Sequence, residues 1–154
     1  MTKALTLLPA LLLIGATACA RTQTFEVTMQ DSSMEPTFEA RTVVQFRPIA
    51  TVQRGEIIAF EYPFPYPGEP RRELIARVIG LPGDELRLGP GGVAVNGQSL
   101  AEPYAKNQDR MAQQTVRVPA GTYFVLGDDR ANQRDSRWWG ALSADKLLGV
   151  RATG

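Results

Sequence analysis

The 154-residue sequence contains no histidine. That absence removes Ser-His-Asp and Cys-His catalysis, and histidine-ligated metal sites with them. Cysteine is nearly absent: Cys19 stands alone, so no internal disulfide can form in any compartment. Charge is balanced at a net +1, with basic residues scattered along the chain, which gives no support to nucleic-acid binding. Repeats and long low-complexity tracts are missing. No long stretch after Arg21 carries a helical period, which argues against a mainly helical domain.

What is present reads as β-structure. Short runs rich in β-branched or aromatic residues occupy positions 42–46 (TVVQF), 56–62 (EIIAFEY), 74–80 (LIARVIG), 93–95, 116–118 and 122–126. Residues 63–68 carry too many prolines for a central strand and are predicted to form a loop. Pro82-Gly83-Asp84, Gly89-Pro90-Gly91-Gly92 and Asn96-Gly97 read as turns, the last two bounding a hairpin strand at 93–95. The predicted fold is mainly β: antiparallel sheets forming a sandwich or partly closed barrel, with an N-terminal apolar helix and a small β lobe. The length suits one domain with a sizeable core.

Residues 4–20 (ALTLLPALLLIGATACA) carry no charge; Lys3 precedes them, and Arg21, Glu26 and Asp31 follow. This asymmetry predicts a cytoplasmic N-terminus and a folded domain, residues 21–154, on the outer (periplasmic or extracellular) side of a cell membrane. The stretch is shorter than the roughly 20 residues of a comfortable span, and Pro9 and Gly15 weaken its helix. Three readings of residues 1–20 stay open. The segment is a retained anchor in a locally thinned bilayer, or a secretory signal cleaved after Ala18-Cys19-Ala20. Alternatively, lipid is attached at Cys19 after cleavage.

Beyond it lies Asp31-Ser32-Ser33-Met34-Glu35-Pro36-Thr37-Phe38. Pro36 fixes its own φ and biases Glu35 towards extended geometry, which stiffens a loop able to present the Ser33 hydroxyl. Taken alone, Ser33 reads equally as a turn cap. Without histidine, the proton of a nucleophilic Ser33 must pass to a lysine or a carboxylate.

Four segments occur in order: Ser33-Met34-Glu35-Pro36-Thr37, residues 54–60 (RGEIIAF), residues 77–84 (RVIGLPGD), and Gly127-Asp128-Asp129-Arg130 leading to Asp135-Ser136-Arg137-Trp138-Trp139-Gly140. Together they resemble the bacterial type I signal peptidases, membrane-anchored serine endopeptidases that remove leader peptides from exported proteins after small residues. The resemblance covers about residues 31–149. Val93-Ala94-Val95-Asn96-Gly97 and Glu102-Pro103-Tyr104 are similar to that family's small non-catalytic lobe, here about residues 85–120.

The resemblance makes Ser33 the nucleophile and its backbone N–H an oxyanion donor. Asp135 and Arg137 become a scaffold pair supporting the catalytic strand. Met34, Phe38, Leu74 and Ile75 are the apolar residues at matching substrate-binding positions, which read equally well as core. It implies signal peptides of exported preproteins and membrane lipid as partners, with no cofactor and no metal. The general base of that family is a desolvated lysine directly before the Arg-Val-x-Gly-Leu-Pro-Gly-Asp run. Here that position is Ala76.

Arg77 stays protonated and is no base. Lys3, Lys106 and Lys146 do not align with the missing lysine, which leaves Asp31, Glu35 and Glu73 as carboxylates near enough in sequence to be considered. Two further positions depart from the pattern. Asp31 replaces a residue that often gives a hydroxyl to the oxyanion hole, and Gln133 replaces a serine that often contacts the lysine. Three outcomes stay open: a signal peptidase I-like serine endopeptidase with low or absent turnover unless a carboxylate or a partner protein supplies the base, a non-catalytic peptide-binding or regulatory homologue, or a secreted or lipid-anchored β-domain with an unrelated binding role whose motif matches are coincidental.

Overall fold

A computed structural model describes residues 23–64, 67–68, 70–132 and 134–152. The apolar N-terminal segment with Cys19, and Gln133, lie outside them. Among the described residues, no helix is long and apolar enough to cross a membrane.

Period-two alternation builds the first hairpin. In β1 (Phe25–Thr28) Val27 is buried between exposed neighbours, and in β2 (Val43–Arg47) Val44 and Phe46 point inward. The long connection between them carries Ser33. β3 (Ile57–Glu61) buries Ile57, Ile58, Ala59 and Phe60 in succession, because both of its faces are covered. Ile57 and Ala59 join one cluster, with Val27, Met34 and Phe46; Ile58 and Phe60 join another, with Ala76, Val125 and Leu142. Each such large side chain contributes about 1.5–3 kcal/mol of burial. β4 (Glu73–Gly80) is the longest strand and pairs with β3.

β5 (Glu85–Gly89), β6 (Gly92–Val95), β7 (Gln98–Ser99) and β8 (Gln114–Arg117) follow, then β9 (Thr122–Leu126), a one-turn helix α1 (Ser136–Trp139), β10 (Leu142–Ser143) and β11 (Leu147–Arg151). One sheet runs β1-β2-β11-β3-β4-β9-β10 and the other β7-β6-β5-β8. All strand pairs in both are antiparallel. The protein is therefore mainly β, with two antiparallel sheets and little helix, as expected from the sequence.

The six predicted runs correspond to β2, β3, β4, β6, β8 and β9 to within a few residues. β1 and β5 escaped because their alternation is short and alternates with charge, as in Glu85-Leu86-Arg87-Leu88. The Asn96-Gly97 turn closes β6 onto β7 with both residues at positive φ, 51° and 83°.

The two sheets share a core. Ile79, Phe124 and Leu126 of the larger sheet pack with Leu86, Leu88, Val93, Val95 and Met111. Gly80 permits the contact, since a Cβ there would lie 2.8 Å from both Leu86 Cδ1 and Val118 Cγ2. Gly149 does the same for β11: a Cβ would meet the Phe25 ring at 2.7 Å and the Arg47 carbonyl oxygen at 2.8 Å. Gly149→Ala is expected to cost about 1–3 kcal/mol by overpacking, read as a lower urea midpoint.

The Pro82-Gly83-Asp84 turn is closed by its carboxylate. Asp84 accepts from the Leu81 N–H and from the Asn96 amide at 2.8 Å, and pairs with Arg54 at 3.0 Å. Burial pushes its carboxyl up, but these donors together hold it below the ordinary value of 3.8. A lowered folded-state pKa adds stability that is complete above the unfolded value and lost as pH falls through the folded one. Stability measured against pH should therefore fall below about pH 4 in the wild type, with a shallower dependence in Asp84→Asn.

Candidate active site

Ser33 sits in the β1–β2 connection, and three contacts fix it. Its carbonyl accepts from the Asp129 N–H at 2.9 Å. Its N–H donates to Asp31 Oδ1 at 2.9 Å. Gly127 packs so closely that a Cβ there would lie 2.6 Å from the Ser33 carbonyl oxygen. Two residues on, the Glu35–Pro36 peptide bond is cis. Among the described residues the Ser33 hydroxyl makes no hydrogen bond.

Ser33 and Ala76 line the same groove, a cavity of about 750 Å³ whose wall also includes Leu74, Ile75, Gly127 and Asp135. Ala76 is 4% exposed and packs with Ile58, Phe60, Val78 and Val125. Of the four apolar residues considered for substrate contact, Leu74 and Ile75 stand on the groove wall; Met34 and Phe38 do not line it. Met34 is fully buried in the core beside Phe46 and Ile75 because its side chain turns under the loop, and Phe38 packs on the same cluster with Arg151 over its ring.

Arg77 lies on the opposite face of β4 from Ala76. Its guanidinium grips the buried Asp128 carboxylate with bonds of 2.8 and 2.6 Å, and donates to the Gly55 carbonyl at 2.9 Å and to Thr37 Oγ1 at 3.3 Å. Thr37 in turn donates to Asp128, and Tyr104 stacks under the guanidinium with its ring centre 3.8 Å away. This network ties the Ser33 loop to the strand that carries Ala76. The sequence excludes Arg77 as a base but does not name its partner. A lone charge inside the apolar run LIARVIG was the available signal that a buried partner had to exist.

The family model described as signal peptidase, peptidase S26, matches residues 1–153. The chain belongs to this family.

A Synechocystis sp. protein described as probable signal peptidase I-2 is 39% identical over 123 residues, covering 77% of this chain and 56% of that protein. The chain thus spans little more than half of that relative's length. Signal peptidase I V of Bacillus subtilis is 31% identical, with 77% of each chain covered. The crystal structure of a signal peptidase I from Enterococcus faecalis superposes with a TM-score of 0.56 at 33% identity, covering 66% of this chain and 97% of that one.

Within the signal peptidase fold, the Asp135–Arg137 pair organises the segment beside Ser33. Asp135 caps α1, accepting from the Arg137 N–H at 3.0 Å and its Nε at 2.8 Å. It also accepts from the Gly127 N–H at 3.1 Å, and so holds the residue on which the Ser33 carbonyl rests. Arg137 reaches on to the Arg130 carbonyl at 2.7 Å and to that of Asn132. A second buried pair, Arg130–Glu102, joins this segment to the stretch following β7.

Among the described residues no ionisable candidate bonds the Ser33 hydroxyl, and Asp31 bonds the Ser33 N–H instead. Glu35 binds Lys106 Nζ at 2.7 Å, and Lys106 also contacts Asp129 at 3.3 Å. The hydrogen bond that Lys106 donates to Glu35 chiefly, reinforced by Asp129, pushes its ammonium up, the wrong direction for a base. Lys146 lies against Glu61, and the exposed Glu73 stands on the groove wall.

Asp135→Ala would strand the Arg137 guanidinium, almost wholly buried, and release the Gly127 N–H. The expected loss is about 3–5 kcal/mol in urea unfolding, typical of breaking one side of a buried ion pair.

Proposed function

We propose that the chain is a signal peptidase I-type protein that binds extended leader-peptide segments in the Ser33 groove, with turnover low or absent because Ala76 stands where the general base belongs. The observation that carries this reading is that Ser33 and Ala76 line one groove, while the Ser33 hydroxyl makes no hydrogen bond among the described residues. An extended peptide would lie against the sheet at Leu74 and Ile75, where shallow apolar contacts suit small side chains such as alanine. Such binding needs no base.

Where a base is available, the chemistry is acyl transfer. The Ser33 hydroxyl attacks the carbonyl after a small residue and loses its proton to the base. The amine leaves with a proton, and water hydrolyses the acyl-enzyme. The apolar setting that lowers a lysine's pKa persists around Ala76, formed by Ile58, Phe60, Val78 and Val125. The N-terminal segment, retained or lipidated, tethers the domain to the outer side of the cell membrane, where leader peptides emerge.

A cleavage assay on a precursor with an Ala-x-Ala site tests the proposal. Wild type is expected to give little or no product, and Ala76→Lys to raise cleavage by about 10²–10⁴-fold, the scale of a general base. Ser33→Ala in the Ala76→Lys background should abolish the gain. Efficient wild-type cleavage that disappears in Ser33→Ala would overturn the inactive reading and point to a different base.

A further inference from the structure

The backbone N–H of Ser33, the oxyanion donor that the resemblance implies, is already engaged. Asp31 Oδ1 accepts from it at 2.9 Å, and both residues line the groove. No described cation is paired with Asp31 to neutralise its charge. An ionised carboxylate only accepts hydrogen bonds.

We propose that Asp31 is a built-in occupant of the oxyanion hole: its carboxylate holds the Ser33 N–H in place of a substrate's carbonyl oxygen and sets a negative charge where the tetrahedral oxyanion would form. The proposal rests on the groove being the peptide site. Attack by Ser33 moves the carbonyl π pair onto oxygen, and that oxygen needs the same N–H. Oxygen and carboxylate then compete for one proton while repelling one another. Losing one oxyanion donor lowers the rate by about 10²–10³-fold in other serine hydrolases. Restoring a base at residue 76 would therefore leave a second brake in place.

A carboxylate accepting from the N–H two residues on also closes an Asx turn, and such a turn orders its loop. The two roles separate by ligand. Loss of loop order weakens every peptide alike, whereas emptying the hole favours only a ligand that places an oxygen there.

The discriminating experiment uses the full chain and two ligands, an Ala-x-Ala peptide ending in an aldehyde and the same peptide ending in an alcohol. The aldehyde adds the Ser33 Oγ: the Oγ–C bond forms, the carbonyl π bond breaks, and the Ser33 proton is passed through water to the new hemiacetal oxygen. The alcohol cannot react. Dissociation constants are measured for wild type, Asp31→Ala and Asp31→Ser, with Ser33→Ala as the control for covalent addition.

The expected result is an aldehyde-over-alcohol preference raised about tenfold or more in both Asp31 variants, and larger in Asp31→Ser, whose hydroxyl can donate. Parallel changes for both ligands, or none, would overturn the occupant role and leave the peptide site standing. Failure of the alcohol to bind any of the proteins would overturn the peptide-site reading, and the occupant role with it.

Discussion

The buried Arg77–Asp128 pair is the interaction on which the site's geometry depends. Arg77 belongs to β4, Asp128 follows β9, and Thr37 belongs to the Ser33 loop; one cluster of bonds joins all three. A two-bond guanidinium–carboxylate grip fixes orientation as well as distance. It also offsets the cost of placing Asp128 wholly out of water, which an unpaired carboxylate could not tolerate. The loop is thereby held against the sheet at a fixed height. Gly127 and Asp129, on either side of Asp128, then close on the Ser33 carbonyl from the same loop. The position of Ser33 follows from these contacts and not from anything its own side chain does.

This arrangement explains how the signal peptidase fold holds Ser33 in place independently of residue 76. The groups that position Ser33 are Asp128, Arg77, Thr37 and the Asp135–Arg137 pair, and all of them bond to one another or to backbone. None of these bonds involves residue 76. Alanine there completes the apolar cluster around Val78 and Val125, so its presence costs the fold nothing. A lysine at the same place would be harder to accommodate, since desolvating an ammonium is unfavourable and is tolerated by giving up its proton. Stability and chemistry at this position therefore pull in opposite directions.

What could be read from the sequence divides along the same line. Local signals sufficed where the cause was local: the Asn96-Gly97 turn, the apolar runs of β3 and β4, the Asp-Ser-Arg turn that became the cap of α1. The Ser33 box was legible through its spacing and through its resemblance to a family. Partners were not legible. Arg77 and Asp128 stand 51 residues apart, and nothing in either neighbourhood names the other. Met34 and Phe38 are apolar in either reading, and only the direction of the loop decides that both pack in the core and not on the groove wall. Gly80 and Gly149 look like ordinary strand glycines until the neighbouring side chains fix how little room they have.

On the proposed reading, Ala76 and Asp31 act on different parts of one reaction coordinate. A missing base penalises the proton transfer that makes Ser33 nucleophilic. A carboxylate at the Ser33 N–H penalises the charge that accumulates on the substrate oxygen. Neither touches the wall formed by Leu74 and Ile75, on which an extended peptide would rest before any bond changes. Catalysis requires that the transition state be held more tightly than the bound substrate. A groove that keeps its ground-state contacts while losing both transition-state contacts can bind a peptide and release it intact, and a protein of that kind competes for peptides with an active peptidase instead of duplicating it.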